Sequence, residues 1–294
     1  MKKLQGAITA IVTPFKEDGS VDVATLKALV RFQIENDISG IVPCGSTGEA
    51  MTLNTSEYAL VIETVVAETK KKVPVIAGAG SNDTVKAIEF SKIAKKAGAD
   101  ILLHVSPYYN KPTPVGLLAH YKAIAHAVDL PIILYNVPGR TGSNVTASTT
   151  LEIAKKVEHV IAVKEASGNM LQMMEIIKGA PSYFSVLSGE DALTLPFMAV
   201  GGDGCISVVA NEVPKEFSDM VRFSLDGNFQ KAKKLHYQLL DLMNINFIES
   251  NPIPVKAALF LMGKIKEEYR LPLTKIGDKN REVVVGALKE LKLI

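Results

Sequence analysis

The chain is short of the groups that mark metal, disulfide or nucleic-acid chemistry. Its 294 residues hold two cysteines, Cys44 and Cys205. Two cysteines make no disulfide framework, and neither spacing suggests zinc. Both lie in apolar surroundings near expected strand ends, so they read as small buried hydrophobes in a reducing cytosol. Five histidines, His104, His120, His126, His159 and His236, are scattered. No His-x-His or His-x-x-Glu-His grouping occurs, which argues against a metal site. Charge of one sign is also lacking: the net charge is +2. No basic run is interleaved with aromatics, so no nucleic-acid partner is expected.

No apolar run is long enough to cross a membrane. The stretch from Met1 to Thr13 faintly resembles a leader, but it is short and contains Gln5. It stops at Pro14, with Lys16-Glu17-Asp18 just after, and is expected to be a first strand. A cytoplasmic location is expected. Arginine is scarce too, limited to Arg31, Arg140, Arg222, Arg270 and Arg281. Arg140 sits in a Gly/Pro turn and so invites a reason.

What is present in quantity is hydrophobic residue, 47% of the chain, against 22% charged. That is ample for one large core. Short Val/Ile/Leu/Ala runs alternate with longer amphipathic stretches. Strands are expected at Ala7–Val12, Gly40–Pro43, Val73–Ala77, Ile101–Val105, Ile132–Tyr135, Val160–Lys164, Tyr183–Leu187 and Gly204–Val208. Helices are expected between them: Val23–Asn36, Ser56–Lys70, Thr84–Ala97, Pro114–Ala127, Ala147–Lys156, Met170–Lys178, Ala192–Val200 and Pro214–Ser224. Continuous rather than alternating apolar runs suit parallel strands buried on both faces. Eight such units in succession are the count of a (β/α)8 TIM barrel. A solenoid would need a recurring motif, and none recurs. A doubly wound sheet would want Gly-x-Gly-x-x-Gly, and Gly78-Ala79-Gly80-Ser81-Asn82-Asp83 lacks the last glycine. After Ser224 the strand signal stops. Helices are expected at Phe229–Phe247, Pro254–Glu268 and Asn280–Leu291. The division is therefore a catalytic barrel over 1–224 and a C-terminal helical appendage over 225–294.

Active sites of such barrels lie at the C-terminal ends of the strands, and the unusual residues fall there. Lys164 closes the sixth run and is followed by Glu165-Ala166-Ser167-Gly168. A lysine ending a buried strand holds its amine where water is scarce. A desolvated amine attacks carbonyls and forms Schiff bases. The alternative is a side chain whose stem is buried and whose head reaches water. Gly45-Ser46-Thr47-Gly48-Glu49 follows the second run. It suits either a backbone-and-hydroxyl cradle for a small carboxylate or an ordinary loop with a hydroxyl cap. Tyr135 ends the fifth run and can pass a proton through a bridging hydroxyl, which Thr47 would supply. A rim tyrosine that only packs is the other reading. Tyr108-Tyr109 suits an interface as well as a site. Arg140 carries a fork that recognises carboxylates, or else makes a surface ion pair. Glu190-Asp191 reads as a helix cap rather than a catalytic pair.

With these motifs the chain resembles the pyruvate-dependent class I aldolases related to dihydrodipicolinate synthase and N-acetylneuraminate lyase. The markers are Gly45–Glu49, Tyr135-Asn136-Val137-Pro138-Gly139-Arg140-Thr141-Gly142, Lys164–Gly168, and Asn251-Pro252-Ile253-Pro254-Val255-Lys256 in the tail. The resemblance implies a Schiff base between Lys164 and pyruvate. It implies that Ser46, Thr47 and the main chain near Ile206 bind the pyruvate carboxylate. Tyr135, Thr47 and Tyr109 would relay protons, Tyr109 reaching in from a partner subunit. Arg140 would bind the carboxylate of aspartate semialdehyde, the second substrate. No metal or organic cofactor is implied, and a homo-oligomer, a dimer of dimers, is expected. Ser46 stands where the family often has threonine, and the hydroxyl is kept. A sugar-acid lyase is the nearest rival, but it would want neutral partners where Arg140 stands. A sensor of 2-oxo acids is the other, but it has no need of a proton relay. Lysine-inhibited members hold the effector at positions matching Ala50, Met51, Thr55, Tyr58, Asn82, Lys86 and Tyr108. Lys86 replaces a glutamate there, and Thr55 and Tyr58 replace histidines, so weak or absent lysine inhibition is expected.

Overall fold

The computed structural model describes residues 3–294; Met1 and Lys2 of the leader-like stretch lie outside these. Eight strands form: β1 (Gly6–Ala10), β2 (Gly40–Val42), β3 (Ile76–Gly78), β4 (Ile101–Val105), β5 (Ile132–Asn136), β6 (Val160–Glu165), β7 (Ser185–Ser188) and β8 (Gly204–Ser207). All pairings are parallel, in the order β2-β1-β8-β7-β6-β5-β4-β3. The Ile41–Val75 bridge joins the two ends and closes the barrel.

Strand alternation divides the apolar residues into two sets. Ile8, Val42, Ile76, Leu103, Ile133, Ala162, Leu187 and Ile206 fill the barrel interior in one cluster. Their neighbours, among them Ile41, Leu102, Leu134, Val163 and Val186, face the helices in a second, larger cluster. Burial on both faces explains why these runs are continuously apolar.

The helices are α1 (Val23–Glu35), α2 (Thr55–Thr69), α3 (Thr84–Lys96), α4 (Pro114–Ala127), α5 (Pro138–Thr141), α6 (Ala147–Lys156), α7 (Met170–Gly179), α8 (Thr194–Ala199) and α9 (Pro214–Leu225). The tail adds α10 (Phe229–Ile245), α11 (Ile253–Leu261) and α12 (Asp278–Glu290). Many start on a side-chain cap that accepts a free N–H: Asp22, Asn54, Asp83, Thr113, Thr146, Asn169 and Asn228. Each such cap stabilises its helix by about 1 kcal/mol. Helix α10 packs on α9, and α12 lies against α10 and α11. No described helix is long and apolar enough to cross a membrane.

Two expected elements differ and one element was not expected. The helix expected over Pro254–Glu268 ends at Leu261. Gly263 adopts φ +69°, and the Gly263 and Lys264 N–H groups donate to the carbonyls of Phe260 and Leu259. A glycine in the left-handed region closes a helix this way. The stretch Ala192–Val200 divides into a 3-10 turn, Asp191–Leu193, and α8. The turn α5 went unforeseen, because four residues carry no periodicity.

Candidate active site

The site is built on β5 and β6. Tyr135 and Lys164 are direct partners in the parallel register. Each stands two residues beyond an interior residue, Ile133 and Ala162, so both point into the barrel. The Lys164 Nζ lies 4.4 Å from the Tyr135 ring centroid. Lys164 is 6% exposed, so its amine does not reach bulk water as a rim lysine would. Among the described residues no carboxylate pairs with it. Room for it comes from Gly189 on the neighbouring strand end. A Cβ there would meet the Ala166 Cβ at 2.6 Å and the Lys164 Cε at 3.0 Å.

The residues after the two key positions point outward and tie the strand ends together. The Glu165 carboxylate, fully buried, accepts from Asn136 Nδ2 (3.1 and 3.0 Å), Gln172 Nε2 (3.1 Å) and the Ser167 N–H (2.8 Å). Asn136 also holds the next loop, its Oδ1 accepting from the Val145 N–H at 2.9 Å. A buried carboxylate with this many donors is well compensated. Asn136 and Glu165 thus fix the ends that carry Tyr135 and Lys164.

Gly45–Glu49 is a tight turn, with N–H donors of Gly48 and Glu49 closing on the Gly45 and Ser46 carbonyls. The Thr13 hydroxyl holds the Gly48 carbonyl at 2.7 Å. Neither Ser46 nor Thr47 caps the 3-10 turn that follows, so the ordinary-loop reading loses its hydroxyl cap. Ser46 is exposed toward a cavity of about 380 Å³ that also has Tyr135, Val137, Arg140 and Asn251 in its wall. Thr47 is buried, and its Oγ1 accepts from Asn251 Nδ2 at 3.0 Å. The turn's last residue, Glu49, is buried against Lys256 of α11, Nζ to Oε1 2.5 Å. Burial pushes the Lys256 amine down, and Glu49 opposes this. The Phe15 and Tyr269 rings face that ammonium at 4.5 and 4.9 Å.

Arg140 sits in α5, exposed, with Nη2 donating to the Asn251 carbonyl at 3.2 Å. No described carboxylate lies within ion-pair distance of it, which removes the surface-pair alternative. Ile206 is fully buried inside the barrel, paired with Ile8. Tyr109 is not brought into this site. It is 89% exposed at φ +71°, outside the cavity wall.

The pair Glu190-Asp191 does not cap a helix, contrary to expectation. Neither side chain makes a cap bond. Asp191 is buried instead and accepts from the Val208 and Val209 N–H groups at 3.0 and 2.8 Å, holding the end of β8. Burial and Asp191 raise the Glu190 carboxyl above its usual range, while Lys164 and Arg140 oppose this. Asn251 is the other residue missed. Its motif was visible in the tail, but only the fold shows which turn it meets.

The model of the dihydrodipicolinate synthetase family matches residues 3–291. The chain belongs to that family. A relative from Koribacter versatilis (strain Ellin345), named 4-hydroxy-tetrahydrodipicolinate synthase, is 53% identical over 280 residues, 95% of this chain and 93% of that protein. Among solved structures of the family, dihydrodipicolinate synthase from Acinetobacter baumannii, complexed with pyruvate, is 45% identical with a TM-score of 0.97. The match covers 99% of this chain and 100% of that one. A monomeric dihydrodipicolinate synthase variant is 43% identical, TM-score 0.97, covering 99% and 98%.

Proposed function

We infer that the chain condenses pyruvate with L-aspartate 4-semialdehyde to give 4-hydroxy-tetrahydrodipicolinate, on the route to diaminopimelate and lysine. The observation that carries this is Lys164: a buried amine with no carboxylate partner among the described residues, at the C-terminal mouth of the barrel, against a tyrosine ring. The family membership and the names of the relatives point to the same reaction.

The amine adds to the pyruvate ketone and water leaves. The imine makes the methyl group acidic, and its loss of a proton gives an enamine. The enamine carbon bonds to the aldehyde carbon. Cyclisation through the amino group of the second substrate then releases Lys164. Ser46, Thr47 and the main chain near Ile206 hold the pyruvate carboxylate. Tyr135, Thr47 and a partner subunit's copy of Tyr109 move the protons. Arg140 takes the semialdehyde carboxylate at the cavity mouth, where no carboxylate of the described residues pairs with its guanidinium. No step calls for a metal or an organic cofactor. The sugar-acid lyase and sensor readings lack such support.

Borohydride reduces an imine to a stable secondary amine. Treatment in the presence of pyruvate is expected to leave a pyruvyl adduct on Lys164, located by mass spectrometry of a digest. An adduct on another lysine, or none, overturns the mechanism.

A further inference from the structure

The tail motif Asn251–Lys256 ends on a charge in a place where charges are rare. The Lys256 ammonium is fully buried, and the Glu49 carboxylate that meets it at 2.5 Å is 1% exposed. One residue belongs to α11 of the appendage, and the other closes the turn after β2. They are 207 positions apart in the chain. Aromatic rings complete the enclosure, Phe15 from the loop after β1 and Tyr269 from the segment after α11. Tyr269 is itself held, its hydroxyl donating to the Ile253 carbonyl at 3.0 Å.

Taking two charges out of water costs about as much as their attraction returns, so such a pair is a poor source of stability. What it supplies is direction: a buried carboxylate beside one cation has one place to point. Glu49 needs that constraint. It stands at φ +52°, in the left-handed region that residues other than glycine enter only with strain. Such a conformation persists where the surroundings over-determine it. The Glu49 backbone also closes the turn, its N–H donating to the Ser46 carbonyl at 3.1 Å. The N–H groups of Ser46 and Thr47 have no acceptor among the described residues. Two adjacent free N–H groups in a tight turn are donors for a carboxylate. Their direction follows from the Glu49 backbone, and the Glu49 backbone is held from α11.

We propose that the buried Glu49–Lys256 pair sets the shape of the turn after β2 that receives the pyruvate carboxylate, so that the helical appendage takes part in binding the first substrate. The proposal rests on the assignment of that turn to pyruvate. Glu49 and Lys256 are positioning residues. Neither touches a reacting atom; they act through the Ser46 and Thr47 N–H groups.

The test uses the full-length chain with Glu49→Met, Lys256→Met and the two combined. Borohydride trapping is titrated with pyruvate alone, and steady-state kinetics vary each substrate in turn. Every protein is assayed well below its own melting midpoint. A single change strands a buried charge and is expected to melt early. The double change replaces the pair by apolar side chains of similar length, an exchange often neutral for stability, and is expected to melt near the parent. In the double variant the pyruvate concentration that half-saturates trapping should rise about ten- to hundred-fold, as for a lost charge-assisted contact. The KM for pyruvate should rise with it, while the KM for aspartate semialdehyde changes by less than roughly three-fold. A merely structural role would lower the amount of protein trapped but leave the half-saturating concentration of the folded remainder unchanged. Parent-like half-saturation in the double variant overturns the proposal, as do equal rises in both KM values. Failure of the double variant to fold assigns the pair to folding alone and overturns it too. Absence of an adduct in the unmutated enzyme is a separate result, which overturns the imine reading itself.

Discussion

Single side chains in this site divide the work by what they can donate or accept. Lys164 offers a lone pair, Tyr135 a phenol proton, Ser46 and Thr47 hydroxyls, and Arg140 a planar fork. Arg140 is the residue whose role is easiest to isolate, because among the described residues its side chain hydrogen-bonds only to the Asn251 carbonyl. Removing the side chain costs the scaffold one part-buried hydrogen bond. Removing it from a bound carboxylate costs a charge-assisted contact of about 1.5–3 kcal/mol. Arg140→Ala is therefore expected to lower kcat/KM for aspartate semialdehyde about ten- to hundred-fold, with pyruvate binding little changed. Kinetics with each substrate varied in turn check this, and equal losses for both would assign Arg140 to the scaffold. At this scale much was legible in the sequence. Lys164, Tyr135, Ser46, Thr47 and Arg140 stand at strand ends, where a barrel puts its chemistry. Asn251 and Glu49 were not legible as a pair of anchors, because their partners lie about 200 residues away in the chain. Glu190-Asp191 reads as a cap in sequence because the donors Asp191 meets, the Val208 and Val209 N–H groups just past β8, come to it only through the fold.

Elements were legible where burial alone shapes them. All eight strands were expected, since a strand buried on both faces shows an unbroken apolar run. Helix ends were less so, and Gly263 stops α11 seven residues before the expected end. How the appendage holds to the barrel could not be read at all. One link is Glu212, just after the 3-10 turn that follows β8, whose Oε2 accepts from Asn246 Nδ2 at the end of α10 at 2.7 Å. Glu212 is fully buried, and burial, together with Asp191, raises its carboxyl well above 4.5. Its Oε1 and the Asn246 Oδ1 are both buried and unpartnered. A raised folded-state value means the stability it contributes is fully present below about pH 4.5, the unfolded value. That stability is lost as pH rises through the folded value. Glu212→Gln removes the ionisation and supplies an N–H. The variant is expected to melt higher than the parent at pH 8, by roughly 1–2 kcal/mol of stability. The gap should narrow toward pH 5. Melts across that range check it, and a pH-independent difference would show that Glu212 does not titrate between the folded and unfolded states.

At the scale of the whole molecule the question is what Tyr109 and the cavity mouth meet. Tyr109 is nearly fully exposed, held at φ +71° with its N–H on the Thr141 carbonyl at 3.2 Å. Exposure of a tyrosine in a fixed backbone suits a side chain delivered to another copy. If it completes a neighbour's relay, dilution is expected to lower specific activity as the protein dissociates. A fully active monomer, found by sedimentation run with the assay, would sink that assignment. The same face bears on feedback. Lysine-inhibited relatives would hold the amino acid at positions matching Ala50, Met51, Thr55, Tyr58, Asn82, Lys86 and Tyr108. Here Tyr58 is buried, donates to the Gly78 carbonyl at 2.9 Å and packs on Phe90, so its hydroxyl is already spent within the chain. Tyr108 donates to Met51 Sδ at 3.8 Å, a weak partner that a ligand can displace. Lys86 lies exposed on α3 with no carboxylate partner among the described residues. An incoming lysine ammonium would thus meet a like charge where an acid is wanted, and no buried carboxylate replaces it. Like charges at contact distance in a partly shielded site disfavour binding by a few kcal/mol at most, enough to move a site from useful to negligible affinity. Activity is expected to stay nearly constant through millimolar L-lysine, with no heat of binding by calorimetry. The change Lys86→Glu is expected to restore measurable binding if charge is the deciding factor. Strong inhibition of the parent at sub-millimolar lysine would show that the effector is held without a carboxylate at this position.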